Sequence, residues 1–198
     1  MSLDIILASG SASRKALLAG AGVEAETVKP LVDEESAKAA MRAEGVSIRD
    51  QAIALAELKA LKVSSQRPGL VIGGDQMLAL GERAFDKPAD LASARGHLEA
   101  LSGQSHRLET AIVIAEGGAI VWKHLARPKL TMRALSEGFI SSYLERTGED
   151  VLSTVGGYKL EGLGSQLFTE IEGDYFSILG LPLLPLLDYL RMRGVLGT

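Results

Sequence analysis

Short apolar runs along this chain end in breaks rich in glycine and serine, and helical stripes of apolar residues lie between them. The first run, residues 3–8, stops at Ser9-Gly10-Ser11, and a helical pattern follows at once and closes at Gly22. That order predicts a strand that runs into a small-residue turn and a helix N-terminus. Residues 23–28 read as a second strand. The acids Asp33, Glu34 and Glu35 stand before an alanine-rich helix over 36–44, where they fit as an N-cap and first-turn charges. Ser47 with Asp50 forms a variant capping box that opens a helix to about residue 62.

The next apolar stretch, residues 70–80, is two strand segments around Gly73-Gly74-Asp75-Gln76, and the glycines suggest a bulge or the close approach of a ligand. A hairpin turn at 81–83 leads to a helix capped by Asp90, with Leu91, Ala94, Leu98 and Leu101 on one face and a stop at Gly103. Residues 108–115 and 119–125 pair as a hairpin about Gly117-Gly118, and 130–133 is another strand. Ser136 caps a helix ending at Gly148. A glycine-dense but ordered loop covers 155–164, and 166–171 and 175–179 read as strands. Gly180-Leu181-Pro182 starts the last helix, with Pro182 and Pro185 in its first turn and Leu183, Leu186, Leu187 and Leu190 on its buried side. Strands and helices in this order make an α/β protein with hairpins, not a purely parallel doubly wound sheet.

Composition narrows the function. The 198 residues include 46% hydrophobic and 23% charged ones, the balance of a folded globular chain. A net charge of -4 argues against a nucleic-acid binder, and the absence of cysteine removes disulfides, thiolate catalysis and cysteine-ligated zinc. No apolar run reaches the roughly 18–20 residues of a membrane helix and no cleavable leader pattern opens the sequence, so a cytoplasmic protein is expected.

The candidate chemistry starts in the first turn. Unpaired N–H groups of a helix N-terminus and the positive end of its dipole make an anion site, to which Ser9, Ser11 and Arg14 would add. Neither a P-loop nor a dinucleotide-binding glycine pattern is present. Asp75 lies in a run so apolar that it needs a partner, which favours a functional role. Lys59 falls on or beside a buried stripe, where it either snorkels to solvent or supplies a cation to a cleft. Together with Glu34 and Lys87 these residues fit metal-assisted hydrolysis of a phosphoanhydride: carboxylates for a divalent cation and for a proton, cations for phosphate.

The sequence resembles the Maf family of nucleoside triphosphate pyrophosphatases. The match rests on LASGSASRKALL (7–18), VDE (32–34), LAELKA (55–60), VIGGDQ (71–76), DKP (86–88), LSGQSH (101–106), GGYKLEGLG (156–164) and GDYFSILGLPL (173–183). The resemblance implies a single domain over 1–198, built as a mixed, elongated and twisted sheet flanked by helices in two lobes around a central cleft, the Maf/ITPase-like arrangement. It implies hydrolysis between the α and β phosphates with Mg²⁺, Mn²⁺ or Co²⁺, a nucleoside triphosphate as substrate, and a homodimer. By position, Asp75 would accept the proton and share the metal with Glu34. Arg14, Lys59 and Lys87 would grip the triphosphate, and Ser9 would bind a phosphate. Base choice in the family is tied to the positions of Ser13, Gln76 and Glu161. The dTTP/UTP group carries Arg, Thr and Gln there, and the 7-methyl-GTP group carries Trp, Gln and Glu. Gln76 and Glu161 match the second group and Ser13 matches neither, so a dTTP/UTP enzyme stays as the alternative. A second alternative is a nucleotide-binding regulator, since Maf-like proteins are associated with arrest of septum formation. Ala12, the segment 153–155 and the segment 177–179 also depart from the usual family residues.

Overall fold

In the computed structural model the described residues are 4–197. The N-terminal run becomes β1 (Ile5–Ala8), buried throughout, and Leu3, where the sequence pattern starts the strand, lies outside the described residues. Helix α1 (Ala12–Gly20) follows, with Ser11 as N-cap. Its end explains a first difference from expectation: β2 is only Glu26–Thr27. Gly22 takes a φ of 72° and the Val23 N–H turns back to the Leu18 carbonyl at 2.9 Å, so the first residues expected in the strand close the helix instead.

Helices α2 (Glu34–Ala43) and α3 (Ile48–Ser64) come next, capped by Asp33 and Ser47. Strand β3 (Leu70–Leu80) pairs in parallel with β1, whose other edge takes β2 in parallel. β3 is one strand of 11 residues, not two segments. It turns through Gly81-Glu82 into the antiparallel β4 (Arg83–Phe85). After α4 (Leu91–Leu101), β5 (Ser105–Glu116) pairs antiparallel with β6 (Ala119–Ala126) and with β7 (Lys129–Met132), and β7 pairs with β8 (Phe168–Glu172). The eight strands form a mixed sheet in the order β2-β1-β3-β5-β7-β8, with β4 on β3 and β6 on β5. Helix α5 (Glu137–Thr147) and short 3-10 turns over Gly148–Ser153, Val155–Gly157 and Leu163–Leu167 fill the segment before β8. Two more helices, α6 (Tyr175–Ile178) and α7 (Leu183–Met192), end the described chain. The α/β class and the sheet flanked by helices therefore agree with the sequence.

Two further expectations fail locally. Residues 175–179 form the helical turn α6, not a strand, because Leu179 N–H bonds the Tyr175 carbonyl at 3.1 Å and the chain exits through Gly180 at a φ of 101°. A run this short carries no period that separates one helical turn from a strand. Leu91, expected on the buried face of α4, is 40% exposed, whereas Ala94, Leu98 and Leu101 are buried. It is the first helical residue, placed before the buried stripe begins.

The chain divides into two compact units, residues 4–75, 110–126 and 175–197 forming the described part of one, and 76–109 with 127–174 the other. In the first, alternate residues of β1 serve two cores, as the two-residue period of a strand demands. Leu7 packs in one core with Ile72, Ile112 and Leu183, Leu186 and Leu190 of α7, and Ile6 and Ala8 pack with Val71 and Val63. Both cores press on the C-terminal end of β1, which fixes where the turn after Ala8 begins.

The second unit centres on a buried polar contact. His106 Nε2 lies 2.7 Å from the Tyr158 hydroxyl, and the Tyr158 and Phe168 rings meet edge to face with their centroids 4.9 Å apart. Burial pushes the His106 imidazole down to about 4. Below the ordinary histidine value of about 6.5 the unfolded chain takes up this proton and the folded one does not, so stability is lost as pH falls from there toward 4. Between pH 7 and pH 5 this one group costs about 2 kcal/mol. Urea unfolding at the two pH values should show that loss in the native protein and little of it in His106→Gln, which keeps a side chain able to meet Tyr158. Equal pH sensitivity in both proteins would refute the assignment.

Candidate active site

The first turn is organised around a buried arginine. Ser9, directly after β1, accepts hydrogen bonds at its Oγ from Ser11 N–H at 3.1 Å and from Arg14 Nη1 at 3.2 Å. The Ser11 Oγ accepts from Arg14 N–H at 3.3 Å and so caps α1. Arg14 Nε donates to the Gly180 carbonyl at 2.7 Å. That carbonyl is presented by the exit from α6, so the helical turn that replaces the expected strand also anchors the guanidinium. Room for Arg14 comes from Gly74, where a Cβ would stand 3.1 Å from Nε. Burial pulls the Arg14 pKa below its ordinary value, and the negative charges of Asp75 and Glu34 pull it back up. Guanidinium stays charged regardless, which leaves a fixed cation on the first turn of α1. Ser13 is half-buried in the first turn of that helix.

Glu34, Lys59 and Asp75 converge. Asp33 caps α2 by accepting from Ser36 N–H at 3.0 Å, which sets Glu34 as the first helical residue and leaves Glu35 exposed. Lys59 does not snorkel: it is 7% exposed on the buried side of α3 beside Ala56 and Ala60. Its Nζ lies 2.7 Å from Asp75 Oδ1 and 2.8 Å from Glu34 Oε2. Asp75 is itself buried, on the stretch of β3 that packs on α3, and its Oδ2 has no hydrogen-bond partner. Gly73, two residues earlier on the same face, lets α3 approach: a Cβ there would be 2.4 Å from the Ala56 carbonyl oxygen. The paired glycines thus admit a helix and an arginine, where the sequence suggested a bulge or a ligand.

No group of three or more histidine, aspartate or glutamate side chains is close enough to hold a metal ion among the described residues. Two carboxylates still suit Mg²⁺, which takes one or two protein acids and completes its octahedron with water and substrate phosphate. The orphaned Asp75 Oδ2 and the Glu34 carboxylate, whose side chain is 40% exposed, are the donors available.

The remaining expected residues belong to the second unit. Gln76 follows Asp75 on β3 and is half-buried, and Lys87 is exposed just beyond β4. Glu161 is exposed at the tip of a turn closed by Gly162 N–H on the Lys159 carbonyl at 3.2 Å. That turn has a stiff base. Lys159 pairs with Asp150, Thr154 Oγ1 donates to the Tyr158 carbonyl at 2.8 Å, and a Cβ at Gly164 would stand 2.3 Å from the Lys159 oxygen. Sequence reasoning missed the Gly180 carbonyl, a backbone group with no residue signature. It also missed Glu109, buried in β5 and held in a fork by Arg127 Nε at 2.8 Å and Nη2 at 2.9 Å. The signal was present: one acid within the apolar run of β5.

No described helix is long and apolar enough to cross a membrane. Across its full 198 residues the chain is 69% identical to a protein of Hyphomonas neptunium named nucleoside triphosphate pyrophosphatase, which it covers completely. It is 54% identical over 97% of its length to a protein of the same name from Rhodospirillum rubrum, covering 96% of that protein. It is 51% identical to a 7-methyl-GTP pyrophosphatase of Mesorhizobium japonicum, with 99% of each chain aligned. The sequence pattern of the family described as Maf-like protein matches residues 4–193, which span every element from β1 to α7, and the chain belongs to that family.

Proposed function

We propose that this protein hydrolyses the α–β phosphoanhydride of a nucleoside triphosphate, with a 7-methylguanine nucleotide as the preferred substrate. The observation that carries the reading is the buried Lys59 between Glu34 and Asp75, with the buried Asp75 Oδ2 left without a hydrogen-bond partner. Water attacks the α phosphorus and its proton passes to Asp75. The bond from that phosphorus to the bridging oxygen breaks, and pyrophosphate leaves with the electron pair, giving a nucleoside monophosphate. Arg14, Lys59 and Lys87 bind the phosphates, with Ser9, Ser11 and the N-terminus of α1 completing the anion site. A divalent cation held by Asp75 and Glu34, with Mg²⁺ the first choice, would offset phosphate charge. The names carried by the relatives agree with this chemistry.

For the base, Glu161 offers only acceptors, which suits the N–H edge of guanine, and its charge suits the cationic ring of a 7-methylated base. Ser13 and Gln76 would line the same choice, Ser13 without an aromatic ring to stack. Pyrophosphate release from 7-methyl-GTP, GTP, dTTP and UTP in Mg²⁺ tests the reading. We expect 7-methyl-GTP to lead in kcat/KM, and Glu161→Gln to narrow its lead over dTTP about tenfold, the worth of one hydrogen bond to a charged group. Equal or faster dTTP hydrolysis by the unaltered protein would overturn the base assignment.

A further inference from the structure

We propose that Lys59 keeps the metal position closed in the nucleotide-free protein, so that divalent cation and triphosphate enter cooperatively. The inference rests on the reading of Glu34 and Asp75 as the metal acids, and it assigns Lys59 a task beyond phosphate binding. Its ammonium is within 2.8 Å of a carboxylate oxygen on either side, and both its own side chain and that of Asp75 are only 9% exposed. A compact cation that already bridges two acids satisfies the charge a metal would satisfy. It also repels a second cation at close range in a medium of low dielectric. With Lys59 in place, a divalent ion meets two acids already neutralised in part and one free oxygen, Asp75 Oδ2, on a buried carboxylate.

A polyanion changes that balance. Once a triphosphate supplies acceptors for the Lys59 ammonium, the lysine can release the carboxylates, and the metal can take them together with phosphate oxygens. Each ligand then favours the other by the same factor, as linkage requires. In the absence of nucleotide the lysine also supplies the counter-charge that makes two buried or half-buried acids tolerable.

The test is Mn²⁺ binding without nucleotide, followed by the electron paramagnetic resonance of the free ion. The native protein should bind Mn²⁺ weakly, and Lys59→Met should bind it at least tenfold more tightly. The tightening should vanish in the Lys59→Met, Asp75→Asn double variant, and Lys59→Arg, which keeps the charge, should bind no better than the native protein. Should Lys59→Met fail to fold, Lys59→Gln retains a hydrogen-bond donor between the acids and is expected to tighten binding likewise. Circular dichroism identifies the folded variants. A folded Lys59→Met or Lys59→Gln that binds Mn²⁺ no more tightly than the native protein would overturn the inference. Because no turnover is measured, that result stands apart from failure of the pyrophosphatase reading, which the nucleotide panel decides.

Discussion

Asp75→Asn should release pyrophosphate from every nucleoside triphosphate at a rate lower by on the order of 10³-fold, with little change in melting temperature. The first half follows from what the side chain can do. An amide takes no proton from an attacking water, and general-base assistance alone is worth about 10²–10⁴-fold. Oδ2, the oxygen with no hydrogen-bond partner, would also become an amide nitrogen or a neutral carbonyl, and a divalent cation would lose its charged donor. The second half follows from Lys59. Removing one partner of a buried ion pair usually costs about 3–5 kcal/mol because the other charge is stranded. Here the ammonium retains Glu34 at 2.8 Å, and an asparagine carbonyl can still accept the hydrogen bond now made at 2.7 Å. The substitution thus removes a charge and a base while leaving the contact. Pyrophosphate release and thermal unfolding measured on one preparation decide it. Turnover near the native rate would remove Asp75 from the chemistry, and a collapse in stability would show that its charge is structural.

The chain's order of elements was legible because the punctuation is strong: Ser11, Ser47, Asp90 and Ser136 each cap the helix that begins after them. Candidate residues were legible wherever a polar group interrupted an apolar stretch, as Asp75 does in β3. What could not be read was convergence. Glu34, Lys59 and Asp75 stand on three separate elements, and no spacing along the chain states that α2 delivers Glu34 to the lysine of α3. Local reading left Lys59 open between surface and cleft, since a helical stripe gives the direction of a side chain but not what covers it. Backbone groups were invisible for a different reason. The Gly180 carbonyl that holds Arg14 is common to every residue type, and its placement depends on one helical turn that aromatic and β-branched residues did not announce. Glycines misled in a similar way. Gly73 and Gly74 do mark close approach, but the visitor is part of the protein.

Gly73→Ala therefore tests the packing that carries the site. An ideal Cβ at residue 73 would stand 2.4 Å from the Ala56 oxygen, 2.8 Å from the Ala60 nitrogen and 2.8 Å from the Ala60 Cβ. Two of these are backbone atoms of α3, which cannot turn aside as the end of a long side chain can. The helix must move off the sheet, and Lys59 lies between the two residues that are struck. Overpacking of this kind costs about 3 kcal/mol, at the upper end of the usual range, because the obstruction is backbone. In a domain of this size that is roughly a 6–12 °C fall in melting temperature. Activity should fall further than stability explains, since a displaced α3 carries the Lys59 ammonium away from Asp75. Gly96→Ala is the matched control. Gly96 lies within α4, and a methyl added there would have nothing within 4 Å, so the same extra carbon should stabilise the helix by about 0.5–1 kcal/mol. One atom added at two glycines is thus expected to act in opposite directions. If Gly73→Ala melts within a degree or two of the native protein, α3 is free to slide over β3, and the tight seat argued for Lys59 is lost with it.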